Sequence, residues 1–452
     1  MTPHIRIAIV GSGIGGAALA LFLDKAGLRP SLFEAAPAGL GVVGSGLQIA
    51  PNGMNILAQL GLADALIARG SVATTMRFRN AQGTLLCDAT FQQPERWGHP
   101  AVNATRHDVH DLLVGELHRR GIPIHFSKRL ADLDDSGAVA ILRFEDGTEV
   151  TADIVVGADG IHSRVRRALM PDGPSPEYTG LVSAGGFVDP AVLERVPPPA
   201  TLEMIYGKVG FFGMGLVNER RDACSVLWWS ALPVDAMPRE RIAAMTDAER
   251  RRMLLEVHRG WCTPVETAIR RSSSPIFIDN IYDIRRLPVW HRGRVVLMGD
   301  AAHAVSPHSG QGASMALEDA IVLAGHLRDR IDSPAEAFSR FETDRRSRVE
   351  KIVQMGRRSG NQKRPLGPVG AWARDRFVSL ALPSVMRLTA GSLYNYRPAW
   401  KERAPFERAW RGGVGKMSGV VRLTRHISEA RDGLGLDDKE PTAAVRSRSG
   451  PS

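Results

Sequence analysis

The stretch IRIAIVGSGIGGAALALFLDKAGLRPSLFEA, Ile5 to Ala35, limits the fold more than any other part of the chain. A β-rich apolar run, Ile5–Val10, stops on a glycine, and a helical pattern, Ala17–Ala26, follows almost at once. Between them stand Gly11, Gly13 and Gly16 in the order G-x-G-x-x-G. Pro30–Glu34 reads as a second short strand, and Glu34 closes it 21 residues after Gly13. The glycines differ in what they do. Gly11 makes the tight turn, Gly13 lets a pyrophosphate approach the backbone, and Gly16 lets the helix pack on the strand. The free N–H groups and positive potential of the helix start suit phosphate. Glu34 can accept hydrogen bonds from ribose hydroxyls and would repel a 2′-phosphate, which disfavours NADP at this place. The unit is the βαβ opening of a dinucleotide-binding sheet, and this motif alone does not separate NAD from FAD.

A chain of 452 residues predicts two or three domains, and an apolar fraction of 44% with 23% charged residues is that of an ordinary globular protein. Cys87, Cys224 and Cys262 form no C-x-x-C and no Cys/His cluster, so neither a disulfide framework nor a zinc ribbon is expected, and a reducing cytoplasm fits. No uncharged apolar run is long enough to span a membrane. The apolar N-terminal stretch is split by loop-spaced glycines and followed by Asp24-Lys25, so it reads as strand, loop and helix and not as a signal peptide. The net charge of +10 is concentrated: residues 356–411 hold twelve Lys/Arg and three Asp/Glu, 12 − 3 = +9. Without a nucleic-acid motif, a solvated helical face is the reading preferred over a surface for nucleic acid or anionic lipid.

Pro51–Leu60 and Arg106–Arg119 carry apolar residues at helical spacing. Ile141–Gly157 reads as a hairpin turning at Asp146-Gly147, followed by ADIVVGADG. From about Tyr178 to Pro288 apolar and aromatic runs alternate with turn signals, which predicts a separate, mainly antiparallel sheet interrupted by a helix over about Arg239–Arg259. Ala313–Leu327 and Pro334–Gly356 are helical in pattern.

Two further motifs narrow the reading. DIVVGADGIHSRVR, Asp153 to Arg166, is a strand ending at Gly157, a turn at Asp159-Gly160 and a helix capped by Ser163. VLMGDAAHAVSPHSGQG, Val296 to Gly312, ends an apolar strand on Gly299-Asp300 and opens a helix on Gly310-Gln311-Gly312. The glycine loop, GADGIHSRVR and GDAAHAVSPHSGQG, in this order, resemble the para-hydroxybenzoate hydroxylase-like FAD-dependent monooxygenases, the single-component aromatic hydroxylases. The resemblance runs from residue 5 to about 350, and GLQIAPNGMNILAQLGL and TRHDVHDLLVGEL are similar to family segments.

That resemblance implies an α/β fold: a Rossmann-like (GR2-type) FAD-binding domain from residues 1–78, 104–176 and 284–350, with an inserted mainly antiparallel β-sheet substrate domain from 79–103 and 177–283. A helical C-terminal region, 351–432, and a disordered tail, 433–452, complete the expected division. It implies that Gly11, Gly13, Gly16 and Glu34 hold the ADP half of FAD, that Arg106 contacts FAD, and that Asp159-Gly160 serve both FAD and NADPH. Asp300 would bind a ribose or ribityl hydroxyl, and Pro307, Gly310 and Gly312 would lie along the isoalloxazine. Many relatives place an arginine where Gly41 stands here, which leaves that contact without a counterpart. The implied activity is hydroxylation of a small, aromatic or heteroaromatic substrate by NADPH or NADH and O₂ through a flavin C4a-hydroperoxide, in a monomer or homodimer. An epoxidase or C=C reductase on the same fold, or a lipid- or nucleic-acid-associated protein, are the alternatives. Such an enzyme needs no metal and no nucleophilic side chain. Tyr206, Phe211, Phe212, Trp228 and Trp229 are candidate pocket walls, each equally suited to sheet core, and no catalytic base stands out. Ser309 lacks the first glycine of a nucleophile elbow, and His303 and His308 have no third metal ligand nearby in sequence.

The Gly-, Arg- and Ser-rich composition of the last residues cannot build a core. Deleting residues 433–452 is therefore expected to leave flavin content and melting temperature unchanged, measured by absorbance after dialysis and by thermal denaturation. A large loss of either would show that the tail docks.

Overall fold

Ile7–Val10, the strand of the glycine loop, lies at the middle of a six-stranded sheet. The order across it is His291–Arg292, Val295–Leu297, Ile154–Gly157, Ile7–Val10, Pro30–Phe33 and Ile124–His125. All neighbours are parallel except the His291–Arg292 edge. The three central strands are buried at every residue, as a sheet covered on both faces requires. The helices Ile14–Lys25 and Gly312–Asp329 pack on each other at Gly15, where a methyl would lie 3.2 Å from Ala316 Cβ and 3.3 Å from Met298 Cε. The computed structural model describes residues 5–39, 46–90, 94–218, 224–273, 275–361 and 365–401, all within the unit Met1–Arg403. The Gly41 position and the tail from 433 onward lie outside the described residues.

A second, seven-stranded sheet runs Phe277–Asp283, Glu177–Val188, Ser225–Leu232, Phe211–Val217, Thr201–Tyr206, Thr75–Asn80 and Leu85–Thr90. It is antiparallel throughout except where Thr201–Tyr206 meets Thr75–Asn80. Side chains alternate across it. One face, with Ile205, Phe212, Met214 and Trp228, is sealed by the helices Asp247–Val257 and Thr263–Arg270. Two three-stranded sheets, Leu130–Asp134 with Ala140–Phe144 and Glu149–Ala152, and Gly46–Ile49 with Ala101–Thr105 and Ser71–Ala73, complete the framework.

Two sequence expectations change in detail. The hairpin closes at Ala152, and Ile154–Gly157 belongs to the parallel sheet, because Arg6 grips the Asp153 carboxylate and the chain turns there to pair beside Ile7. The helix expected over about Arg239–Arg259 is two helices, Arg239–Ala244 and Asp247–Val257. Thr246 and Glu249 form a reciprocal capping box, which starts a new helix where continuous periodicity suggested one.

The long helix Pro334–Asn361 carries Gly356 and Gly360 toward the segment 305–309: a methyl at Gly356 would lie 3.1 Å from Val305 Cγ2, and one at Gly360 3.0 Å from His308 Cδ2. From Arg357, near the end of this helix, onward, part of the basic excess has protein partners. Arg357 pairs with Asp283 and Glu177, Arg374 donates to the Gly207 carbonyl, and Arg397 to the Arg96 carbonyl. The Arg374 and Arg397 bonds fasten the C-terminal helices Pro368–Leu380 and Leu382–Tyr394 to the rest of the described chain.

His258 sits 3% exposed at the end of the Asp247–Val257 helix, edge-on to Phe212 and Trp261, with its Nδ1 2.8 Å from the Leu254 carbonyl oxygen. Burial pushes its pKa down to about 4, against the opposing pull of the Leu254 and Phe211 carbonyls. The unfolded chain takes up this proton near pH 6.5 and the native protein does so near pH 4, so stability falls as the pH drops through that window. His258→Gln should flatten the fall between about pH 6.5 and 4 in denaturant titrations. An identical pH profile in the variant would show that His258 does not carry it.

Candidate functional site

Val10, Gly157 and Leu297 end three adjacent parallel strands side by side, and each is followed by one of the three motifs. Ligands of open α/β sheets bind at such carboxyl ends. The motifs touch one another. Gly11 has φ +101°, and a methyl there would sit 2.5 Å from the Ala158 carbonyl oxygen. One at Gly16 would sit 2.1 Å from the Gly11 carbonyl oxygen, so the first and third glycines are demanded by packing. Gly13 differs: a methyl would meet nothing within 4 Å. It opens on space at the start of the Ile14–Lys25 helix, whose N-terminus no side chain caps. This is the form that a pyrophosphate cradle takes.

Glu34 holds the loop together. Its Oε2 accepts from the Ser12 amide at 2.8 Å and hydroxyl at 2.9 Å, and its Oε1 accepts from the Ala36 amide at 2.9 Å. The carboxylate remains half-buried, with lone pairs left for ribose hydroxyls. His110 supports the loop from the next helix, with Nε2 3.1 Å from the Ser12 carbonyl oxygen, and burial lowers its pKa.

Asp159 and Asp300 behave differently from each other. Asp159 is spent on local structure: its carboxylate accepts from the Ser163 hydroxyl and from the Arg164 and Val165 amides at the start of the helix Arg164–Leu169. Burial raises its pKa against those bonds. Gly160, at φ +76°, faces open space. Asp300 faces the cleft with no hydrogen bond to its carboxylate among the described residues, although protein surrounds it on its other sides. Desolvation pushes its pKa up, opposed by His303 and by Arg106. Arg106, first residue of the Arg106–Arg119 helix, is exposed, and its guanidinium has no partner among the described residues. An unsatisfied carboxylate beside an unsatisfied guanidinium at the floor of a cleft suits a ligand with hydroxyl and phosphate groups.

The third motif turns at Gly310, φ +61°, where a methyl would meet nothing within 4 Å. At Gly312 a methyl would meet only Val305 Cγ1, at 3.5 Å. The Gly312–Asp329 helix has no side-chain cap, so its positive end is presented to that space. Pro307 is exposed at the rim. A flat ring can lie over this backbone, with N–H groups beneath its edge.

Of the proposed pocket walls, Phe212 and Trp228 stack on each other in the sealed core of the large sheet, and Trp228 Nε1 donates to Ser272. Tyr206 lies on the opposite face but packs under the C-terminal helices with Phe78 and Val378, with Arg374 over its ring. Burial pushes its hydroxyl up to about 12. Phe211 shares that face and contacts Tyr206. Trp229 is half-buried on the same face, laid against Gly213. Further along this face Gly215 approaches Asn103, Leu227 meets Gly46, and Leu181 lies near Gly360 and His308. The space that Gly213 and Gly215 leave on this face is filled by Trp229 and by Leu202 Cδ2. Two glycines in the interior of FFGMGLV were the available signal, since glycine inside a strand marks close approach.

Comparison with known proteins agrees with this geometry. Residues 4–356 match the family model described as FAD binding domain. The chain belongs to this family. It is 32% identical over 362 residues to 6-hydroxynicotinate 3-monooxygenase of Pseudomonas fluorescens, covering 78% of this chain and 91% of that one. It is 33% identical over 404 residues to the 3-amino-4-hydroxybenzoate 2-monooxygenase PtnB3 of Streptomyces platensis, covering 86% and 94%. The fold is that of Klebsiella pneumoniae HpxO, solved with FAD and uric acid, at TM-score 0.77 and 24% identity over 87% of this chain and 98% of that one. The protein is a flavoprotein monooxygenase with FAD as its cofactor. Among the described residues no helix is long and apolar enough to cross a membrane, and no cluster of His, Cys, Asp and Glu could hold a metal.

The Asp300 carboxylate makes no hydrogen bond among the described residues that its loss would break. Asp300→Ala is expected to weaken FAD binding about ten-fold or more, the value of one hydrogen bond to a charged group, with the apoprotein melting as wild type. Full flavin occupancy after dialysis would remove Asp300 from the FAD site.

Proposed function

We propose that the protein hydroxylates a small aromatic or heteroaromatic compound carrying a ring hydroxyl or amino group, with NADPH or NADH as reductant and O₂ as co-substrate. The observation that carries this reading is the uncapped helix start at Gly310–Gly312, where a methyl at Gly310 would meet nothing within 4 Å. It supports a flat ring held on one side and a second flat ring admitted on the other. The names of the relatives, a hydroxynicotinate and an aminohydroxybenzoate, describe electron-rich rings of this size.

Bound FAD supplies electron transfer from the nicotinamide and activation of O₂. Everything else falls to the chain. Gly13 and the Ile14–Lys25 helix start would bind the pyrophosphate, Glu34 the ribose, and Arg106 and Asp300 the polar middle of the cofactor. The N–H groups at Gly312 would stabilise negative charge that gathers on the ring edge on reduction. Leu227 and Trp229 would exclude water from the reacting face and press the substrate toward it. Among the described residues no disulfide joins Cys87, Cys224 and Cys262, which suits a cytoplasmic enzyme.

The reading is tested by NAD(P)H consumption, peroxide release and ¹⁸O₂ labelling over a panel of hydroxylated benzoates and pyridines. A substrate is expected to accelerate NAD(P)H oxidation, to suppress peroxide and to gain one labelled oxygen from O₂. A product formed without label from O₂ would exclude a monooxygenase step and favour C=C reduction. An alkene-bearing product labelled as an epoxide would replace hydroxylation by epoxidation.

A further inference from the structure

Glu318 and Asp319 stand side by side in the middle of the Gly312–Asp329 helix, both at 0% exposure. Two adjacent buried carboxylates persist only if they are fully engaged. Arg345, also at 0% exposure, bridges them: its Nη1 is 2.6 Å from Glu318 Oε2, and its Nε donates to Asp319 Oδ1 at 2.7 Å. Arg348 closes on Glu318 at 2.7 Å, so two cations answer two anions. Charge balance is then complete, and yet one oxygen of Asp319 takes no part in it. Its Oδ2 accepts from the Gly299 amide at 2.8 Å and meets His303 Nε2 at 2.6 Å.

Those two contacts bracket Asp300. Gly299 has φ +56° and ψ −141°, a conformation that demands glycine, and it precedes the four-residue turn Asp300–His303. One oxygen thus pins the residue before the turn and the residue that ends it. A third tie comes from the other side, where Arg166 Nη1 donates to the Ala301 carbonyl at 2.9 Å. His303 itself touches the cleft through nothing: it is buried against Trp290, and its Nδ1 has no hydrogen-bond partner among the described residues. Asp319 is too deep to touch a ligand, so whatever it does for the site it does through the elbow.

We propose that Asp319 is a positioning residue for FAD, which acts by fixing the Gly299 elbow and with it the direction of the Asp300 carboxylate. The proposal rests on Asp300 being an FAD contact. Asp319 and the helix start at Gly312 belong to one rigid helix, so the carboxylate is referenced to the same element that underlies the flavin ring. The spacing between the two contacts is thereby set by a helix and not by a loop.

A double-mutant cycle tests it, with FAD Kd measured by titrating apoprotein and following flavin fluorescence. Asp319→Asn keeps the shape but cannot accept from Gly299, His303 and Arg345 together. It is expected to raise Kd about ten-fold and to change the visible circular dichroism of bound flavin. In an Asp300→Ala background the same substitution should leave Kd within about two-fold, because its route to the cofactor is already cut. Equal losses in both backgrounds would mean general destabilisation and would overturn the proposal, as would wild-type Kd and dichroism in folded Asp319→Asn. If Asp319→Asn does not fold, His303→Gln, which spares the Gly299 bond, replaces it in the cycle with a smaller expected loss and the same overturning outcomes. Wild-type Kd in Asp300→Ala alone would instead reject the assignment of Asp300, a separate failure.

Discussion

Parallel strands paired in register finish together, and whatever follows them opens at one edge. Val10, Gly157 and Leu297 are such a set, held by the amides of Ala158 and Met298 bonding across to the Val10 and Gly157 carbonyls. The glycine loop, the Asp159 turn and the Gly299 elbow are therefore neighbours although the chain between them is long enough to build other sheets. The requirement at this edge is backbone density. Gly11 and Gly16 exist because main-chain atoms of the motifs approach too closely for a methyl group. The rest of the molecule can vary its walls while this junction stays as it is.

The interactions that support the junction differ in weight. Exposed pairs such as Arg143 with Glu149 or Arg270 with Glu266 contribute about 0–1 kcal/mol each. Breaking a fully buried pair by removing one partner costs about 3–5 kcal/mol, because an uncompensated charge is left in the core. The Glu318–Asp319–Arg345 set is of the second kind, and it lies directly behind the cleft. Glu318 also receives Asn52 Nδ2 at 2.6 Å, and Asn52 in turn donates to Gln311 Oε1 at 3.0 Å, which ties the start of the same helix to the Pro51–Gln59 helix. Against the upward pull of burial, His303 and Arg345 hold the Asp319 carboxyl at about 2, so Asp319 keeps its charge throughout the range in which an enzyme works.

The parallel half of the fold was legible because its signals are local. Ile7–Val10, Pro30–Phe33 and Arg106–Arg119 fall where periodicity and caps predict them. Asp300 follows the strand Val295–Leu297, and Gly310 and Gly312 stand at the start of the Gly312–Asp329 helix, places that the local pattern of a strand-end carboxylate and loop glycines marks directly. What escaped depends on partners distant in sequence. Nothing in ALEDAIVLAG says that Glu318 and Asp319 are buried, since an acidic pair in a helix is ordinarily a solvated face; only Arg345 and Arg348 on a later helix reverse that. The aromatic residues failed as a guide for a related reason. In FFGM and LWWS, neighbouring residues face opposite sides of a sheet. Composition cannot say which side is sealed, so Phe212 and Trp228 look no different from Phe211 and Trp229 until the helices Asp247–Val257 and Thr263–Arg270 are placed.

The same alternation explains how one sheet serves two purposes. On the sealed face bulk is wanted, and Phe212 stacks on Trp228 with ring centroids 5.4 Å apart. On the other face small residues interrupt the strand. There Gly213 and Gly215 fall on consecutive same-side positions, and Trp229 lies flat into the gap that Gly213 leaves, with a methyl at Gly213 only 2.3 Å from its ring. The indole thus takes its orientation from a missing side chain. A residue with a Cβ at 213 would have to displace Trp229. One at 215 would meet Leu202 Cδ2 at 2.5 Å, so both glycines are set by the close approach of neighbouring side chains.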